Sequence, residues 1–538
     1  MISIRQPRLV VVALVAFCFF TTTSRTTTRV HAVKAPTSSV HQAPPVHNPP
    51  SSQKLSPHIP VDDEAVSYST TTSSIARPRG GARGSTGSDS HSSKRPSFYW
   101  AVFHNWMYFL SLGFNLINIP FMIRTLVDGP TAPNPAAASA AATSLGTIVK
   151  PPSPQAIALS GKVESIDRLL TFLGIGYLSA LSDTYGRKPL MLWSALGFMV
   201  TNLIQAQAGN LGTSAASAIP FLYLADTIDG CTSCMLPVCQ AYTVDCSSKR
   251  DCATNLGIFQ GLSAGGAFIF AFPIGGLIGA KKGPKVALRI AAGIQAINAL
   301  IILFFTPESH TPTKDHSKMD LREANPIAGL QRLFGGSSLL RIASTAYFLA
   351  SLARGSLDAQ FPNYTNLRFG WTQAQSGPVL VLVGLMLAIV PRILVPRLGL
   401  RHSIVSGLLI FAVGLTGAGL APTPAGFVAG IAVIAVGCVC LPTLQALLAN
   451  LAPPEERGAL LGAVSSVTEL TGAIASTMYA LILAKFNSDD APLPLPGFHF
   501  LVGSLLLVGA WGMALPGLRT HKDNAALNIS SDMYESLS

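Results

Sequence analysis

Apolar residues fall into twelve long runs along the chain: 99–123, 161–182, 189–208, 217–244, 254–279, 286–305, 338–360, 375–395, 402–420, 426–449, 459–484 and 498–517. Each approaches the ~20 residues that a helix needs to cross the hydrocarbon core of a bilayer. The pattern predicts an all-α membrane protein with twelve transmembrane helices. The longest internal polar stretch, 306–337, divides the runs six and six. The expected organisation is a disordered N-terminal tail (1–97), a six-helix bundle (98–305), a cytosol-side central loop (306–337), a second six-helix bundle (338–518) and a polar C-terminal tail (519–538).

The halves echo each other. SDTYGRKPLML (182–192) follows the second run and VPRLGLRHSIV (395–405) the eighth, which aligns Gly186 with Gly399 at an offset of 213. KRDCATNLG (249–257) opens the fifth run and PEERGALLG (454–462) the eleventh, which aligns Gly257 with Gly462 at an offset of 205. Repetition at half-length marks transporters built from two related, pseudo-symmetric bundles.

Composition narrows the class. The chain is 49% hydrophobic and 12% charged, with mean hydropathy +0.44, whereas soluble proteins carry about 25% charged residues. An ordinary soluble globule is excluded. Lys and Arg outnumber Asp and Glu by 37 to 25. The excess sits in short loops rather than one patch, so it reads as membrane topology and not as a nucleic-acid footprint. One side of the spans carries Arg187, Lys188, Lys249, Arg250, Arg397, Arg401, Arg457, Arg519 and Lys522. By the positive-inside rule that side, with both termini, faces the cytosol or its equivalent. Lys281, Lys282 and Lys285 fall on the other side, against the rule.

The tail carries its own signals. Arg5 and Arg8 precede the apolar run Leu9–Phe20, and no acidic residue occurs before Asp62. A basic start, a short apolar segment and a Ser/Thr-rich, acid-free sequel describe a signal or transit peptide. A low-complexity extended tail is the alternative. The expected location is multi-pass in an organelle envelope such as a plastid's, or in the endomembrane system or plasma membrane.

Ionisable residues inside lipid-spanning segments are expensive, so by default they are functional candidates. Asp226 and Asp229 stand three apart in the fourth run, on one helix face. A carboxylate pair this close is suited to carry a proton or to hold a cation; capture by an arginine of another helix is the alternative. Arg354 and Asp358, four apart in the seventh run, can pair with each other. Arg392 in the eighth run and Glu469 in the eleventh complete the set, and Arg354 with Arg392 would suit an anion. Asp167 and Arg168 in the second run are candidates of the same kind, with a place near the far interface as the plain alternative. His104 and Asn105 in the first run can line a cavity or serve as a satisfied interfacial pair.

The sharpest motif is Ser179-Ala-Leu-Ser-Asp183-Thr-Tyr-Gly186-Arg187-Lys188-Pro189, between the second and third runs. Gly186 permits a tight turn. Asp183 at a helix end can receive a basic side chain or the positive N-terminus of a neighbouring helix. The plain alternative is a tight basic loop obeying the topology rule. GYLSALSDTYGRKPLML resembles the signature loop of the major facilitator superfamily, and its nearest flavour is that of the tetracycline-resistance-type drug:proton antiporters and their eukaryotic relatives. AYTVDCSSKRDCATNLGIFQGLSAGGAFIFAFPIGGLIG (241–279), LRFGWTQAQSG (367–377) and LAPPEERGALLGAVSSVTELTGA (451–473) resemble further segments of that group. The resemblance implies two six-helix bundles, a gating loop of Asp183, Gly186, Arg187 and Lys188, and charge partners at Asp245 and Arg250. It implies helix packing at Pro273, Gly275 and Gly276. This sequence departs from the pattern at Ser179, Thr184 and Phe272, and has Asp226 where the group carries a basic residue in the fourth span.

Three other patterns are weighed and set aside. Gly261-Leu-Ser263-Ala-Gly265 spells a nucleophile elbow but lies inside an apolar helix rather than at a strand-to-helix turn. Cys231-x-x-Cys234 has no second ligand pair at zinc-site spacing. No Gly-x4-Gly-Lys-Ser/Thr loop is present in the sequence to support ATP-driven pumping. The expectation is a secondary active transporter, not an enzyme, moving a small organic solute by alternating access with proton coupling. Its expected partners are that small-molecule substrate, protons and the lipid bilayer; it is expected to be a monomer without metal, cofactor or nucleic acid. A non-transporting receptor or scaffold on the same fold is the alternative.

Overall fold

A computed structural model describes residues 96–129, 151–212, 215–248, 252–310, 325–451 and 457–520. The expectations for the tail and for Arg250 lie outside the described residues. The helices of the first half are α1 (Phe98–Val127), α2 (Pro154–Tyr185), α3 (Arg187–Leu211), α4 (Ala215–Thr232), α5 (Met235–Asp245), α6 (Cys252–Gln260), α7 (Gly266–Lys282) and α8 (Pro284–Phe305). Those of the second half are α9 (Pro326–Gly335), α10 (Ser338–Asp358), α11 (Phe361–Phe369), α12 (Gln373–Leu420), α13 (Pro424–Gly437), α14 (Cys440–Leu451), α15 (Arg457–Phe486) and α16 (Phe498–Thr520). Every one of the twelve apolar runs lies on helix.

Among the described residues, nine stretches are long and apolar enough to cross a membrane. The three runs outside that set lie on α2, α4–α5 and α10. They fall short for a chemical reason: they hold Asp167 and Arg168, Asp226 and Asp229, and Arg354 and Asp358. Large apolar side chains point outward elsewhere; Phe304 and Leu505 are each 70% exposed. In water such a surface would be an aggregation liability, whereas lipid is its natural solvent.

Both repeats read from the sequence reappear as backbone geometry. Gly186, between α2 and α3, has φ 99° and ψ 162°. Gly399, inside the long α12, has φ 74° and ψ 165°. That region is essentially open to glycine alone, and it recurs at the offset of 213 residues. The break between α4 and α5 falls at Ser233–Cys234, and the break between α13 and α14 at Cys438–Val439. These positions are 205 residues apart, the offset that relates Gly257 to Gly462.

Local chemistry sets the boundaries. Pro154 occupies the first turn of α2, and Ser153 accepts a hydrogen bond from the Ala156 N–H. The helix therefore starts seven residues before the apolar run does. The fifth run is α6 and α7 joined by a π-turn at Gly261–Gly265. The elbow-like Ser263 is buried there; it donates to the Phe259 carbonyl (2.6 Å) and accepts from Asn105 Nδ2 (2.8 Å). The central segment, expected as a plain loop, contains the short helix α9, capped by the Asn325 side chain with Pro326 in its first turn. Asn363, which sits in a glycosylation sequon, is buried and donates to Ser160 Oγ at 3.1 Å, a place that excludes a glycan.

The first-half core gathers Tyr108, Phe198, Met235, Tyr242, Phe259 and Ile302 from α1, α3, α5, α6 and α8. The two halves meet along two seams. In one, α2 packs on α15, and a Cβ at Gly161 would collide with Ala480 and the Ser476 carbonyl. In the other, α7 packs on α12, and a Cβ at Gly276 would collide with the Gln373 carbonyl. Both lie away from the end that carries Gly186, so we call that end the loop side and the other the far side.

Candidate functional site

At the loop side, Asp183, Arg187 and Asp245 come together from α2, α3 and α5. Arg187 Nη1 pairs with Asp183 Oδ1 (2.5 Å), and its Nε donates to Asp245 Oδ2 (3.0 Å). Its Nη1 also donates to Ser182 Oγ (2.6 Å). The Arg187 side chain is 7% exposed while that of Asp183 is 63% exposed, so the guanidinium is the buried hub and Asp183 its outer flank. The positive N-terminus of α3 is taken by Glu308 and not by Asp183. One Glu308 oxygen accepts from the Arg187 N–H (2.9 Å) and the other from the Lys188 N–H (3.1 Å), which suits the exposed amides of a helix start. Gly186 serves twice: its φ is positive, and a Cβ there would sit 2.6 Å from Glu308 Oε2.

Glu308 belongs to a strap, residues 306–310, that crosses the loop side after α8. Thr306 Oγ1 lies 2.7 Å from His104 Nε2, the Pro307 carbonyl accepts from Tyr242 (2.9 Å), and Ser309 Oγ donates to Asp245 (3.1 Å). His104 is fully buried and its Nδ1 lies 2.7 Å from Asn298 Oδ1. With both ring nitrogens engaged, it anchors the strap and lines no cavity.

Deeper in the first half, a chain of amides leads to Asp226. Asn115 of α1 donates to Gln205 Oε1 (2.6 Å), and Gln205 of α3 donates to Asp226 Oδ1 (2.7 Å). The partner of Asp226 is thus a glutamine and not an arginine. Asp229 turns toward α2 because α4 crosses α2 at Gly230, where a Cβ would stand 2.5 Å from the Asp167 carbonyl. Asp229 and Asp167 lie within Coulombic reach of each other and of Arg168 and Glu469. One buried oxygen of each has no hydrogen-bond partner among the described residues.

Arg168 is 14 residues into α2, roughly 21 Å along the axis at 1.5 Å per residue. That is the middle of the helix, not the far interface. Its Nε donates to Glu164 Oε1 (3.0 Å) and its Nη1 to Glu469 Oε2 (3.4 Å) on α15. Arg354 and Asp358 pair at 2.8 Å on α10, with 35% and 47% of their side chains exposed. Tyr347 and Cys438 stand near Arg354, so this pair sits beside the α13–α14 break. Arg392 is on α12, and its side chain lies outside the described residues. Pro273 and Gly276 stand in the α7–α12 seam, against Gly377 and Gln373 respectively, while Gly275 rests on Phe114 of α1.

Sequence reasoning passed over Glu308 and Gln205, and named Arg168 without its partners Glu164 and Glu469. The (i, i+4) spacing of Glu164 and Arg168 was a readable signal; the remote contacts of Glu308 and Gln205 had none.

The fold, the glycine turn and the charged hub point one way, and the sequence agrees: residues 131–476 match the profile of the Major Facilitator Superfamily. The chain belongs to that superfamily. It is a multi-pass integral membrane protein of the secondary-transporter kind. It is 27% identical over 372 residues to tetracycline resistance protein class C of Escherichia coli, covering 67% of this chain and 86% of that protein. It is 22% identical over 491 residues to hippocampus abundant transcript-like protein 1 of Mus musculus, covering 85% and 89%. Among solved structures it is similar to the human organic anion transporter MFSD10, with TM-score 0.55, 19% identity and coverage of 78% and 99%. It is also similar to a D-xylose–proton symporter, with TM-score 0.55, 14% identity and coverage of 76% and 97%. At these identities the structural likeness is one of fold.

Proposed function

We propose that this superfamily member is a proton-coupled transporter of a small organic cation, acting as a monomer by alternating access between two six-helix bundles. The observation that carries the reading is the mid-depth cluster of Glu164, Asp167, Asp226, Asp229 and Glu469 around the single cation Arg168. Such a cluster holds surplus negative charge where charge is costly. Protons and organic cations relieve the same deficit, which lets one exchange for the other. In the C-terminal bundle Arg354 is paired with Asp358, which offsets its charge. The names of relatives and neighbours cover drug resistance, an organic anion and a sugar, and none of them selects the cargo here; the surplus of carboxylates at the site supports a cation.

The loop-side hub is the gate element of this reading. Asp183, Arg187, Asp245 and Glu308 hold the ends of α2, α3 and α5 and the strap as one body. The bonds that join the halves, Arg124 to Asn366 and Ser165 to the Ala473 carbonyl among them, support a far-side-closed state. The test is flux of a fluorescent organic cation in sealed vesicles under an imposed pH gradient. The expected result is gradient-driven flux in the parent and its loss in Asp229→Asn. Flux that ignores the gradient and survives both Asp229→Asn and Asp226→Asn would remove the coupling claim.

A further inference from the structure

Two neighbouring residues on α2 face in different directions, and the difference has a mechanical meaning. Successive helix positions are about 100° apart, so Asp167 and Arg168 address different partners. Asp167 is at the crossing with α4, where Gly230 permits contact, and beside Asp229. Arg168 is at the crossing with α15, where it lies flat across Gly472; a Cβ there would stand 2.7 Å from Arg168 Cδ. Gly472 is one turn beyond Glu469, which accepts from Arg168. One helix thus carries, side by side, a contact with its own bundle's carboxylates and an ion pair with the opposite bundle.

We propose that Arg168 is a switchable latch: paired with Glu469 it closes the far side, and ionised Asp167 and Asp229 compete for it. The latch rests on the alternating-access reading, not on the identity of the cargo. The charge balance sets the direction. When Asp167 and Asp229 are both ionised, they draw Arg168 toward α4 and repel Glu469, and the seam loosens. When a proton or a cation neutralises them, Arg168 is released to Glu469 and Glu164, and the seam closes. The empty, ionised carrier therefore resists closing its far side, which is the condition for obligatory exchange. Other titratable groups facing the cluster are Asp226 on α4, Tyr108 on α1 and Tyr347 on α10. Side chains of Arg168, Glu164 and Glu469 are 29%, 27% and 25% exposed, so the three keep room to exchange partners.

The seam itself supplies the readout. Thr477 of α15 contacts the Gly161 carbonyl at 3.5 Å on the far side of the latch. Thr477→Cys in the full chain, in sealed vesicles, is labelled from the far side with a membrane-impermeant maleimide and quantified by mass spectrometry of that peptide, which separates it from the native cysteines. Arg168→Gln and Glu469→Gln should each speed labelling about ten-fold, as expected when roughly 1.4 kcal/mol is removed from a closed state. The reversed pair, Arg168→Glu with Glu469→Arg, should return the rate toward the parent's, since Glu164 can still engage the relocated cation. Labelling of the parent should rise with pH, and Asp229→Asn should flatten that rise. Arg168→Lys, which keeps the charge, should label more slowly than Arg168→Gln and serves if the reversed pair does not fold. An unchanged rate in Arg168→Gln, or a reversed pair or Lys variant as fast as Arg168→Gln, overturns the latch. A rise with pH that persists in Asp229→Asn overturns the competition. Labelling reports the gate without any cargo, so its outcome is separate from that of the pH-gradient flux.

Discussion

Replacing Gly186 by alanine tests whether the loop-side hub depends on one backbone conformation. The perturbation is a single methyl group with two separate consequences. With φ at 99° and ψ at 162°, a residue bearing a Cβ is held in a region that costs on the order of 1–3 kcal/mol. The same Cβ meets Glu308 at 2.6 Å and displaces a carboxylate that caps two amides of α3. Loss of a favourable charge at a helix N-terminus is worth about 0.3–2 kcal/mol. The sum for Gly186→Ala is roughly 1–5 kcal/mol. Thermal unfolding of the purified protein in detergent would compare Gly186→Ala, Glu308→Ala and the double variant. Once Glu308 is gone the methyl group has no carboxylate to displace, so only the backbone penalty remains. The double variant should therefore lose about 1 kcal/mol less than the two single losses combined. Strict additivity would show that Gly186 and Glu308 act separately, and an unperturbed Gly186→Ala would show that the turn is not required.

Three further outcomes follow from the same contacts. Glu308→Gln should destabilise by about 1 kcal/mol, because both of its oxygens accept from backbone N–H donors and an amide turns an NH2 toward one of them; unchanged melting would contradict this. His104→Ala should destabilise by roughly 2–4 kcal/mol by orphaning Asn298 and Thr306, yet leave the pH profile of flux unmoved; a shifted profile would return His104 to the coupling machinery. Arg354→Gln should cost less than ~1 kcal/mol in melting, as expected of a partly exposed pair, while changing the apparent affinity for the cargo in vesicle uptake; a large loss of stability with unchanged affinity would make the pair structural.

Much of the architecture was legible because lipid leaves few choices. Apolar length announces a helix, and the two repeats located Gly186 and Gly399 before their shared backbone geometry was seen. Asp183, Arg187 and Asp245 came together as the motif implied. What escaped detection depends on contact between distant stretches of chain. Glu308 sits in a polar segment 121 residues from its partner Arg187, and nothing local marks it as a cap. Gln205 is neutral, so a search for ionisable groups passes over it. A place near the interface was the plain alternative for Arg168 because the apolar run begins at residue 161, whereas Ser153 and Pro154 start the helix earlier and so carry the arginine to mid-depth. For His104 the sequence left a cavity-lining role and a satisfied pair open, and its contacts to Asn298 and Thr306 favour the second.

The twin glycine turns differ in one respect. Glu308 stands against Gly186, whereas no described residue lies within 4 Å of a Cβ built at Gly399, and the offset of 213 puts Pro396 and Leu400 where the first copy has Asp183 and Arg187. Duplication preserved the pivot in both copies and the Asp183–Arg187 ion pair in one. The second copy is consequently the more compliant corner of the molecule. Small molecules or binding proteins that stiffen residues 395–405 would brake the transport cycle, whereas the stitched corner already offers little slack to remove.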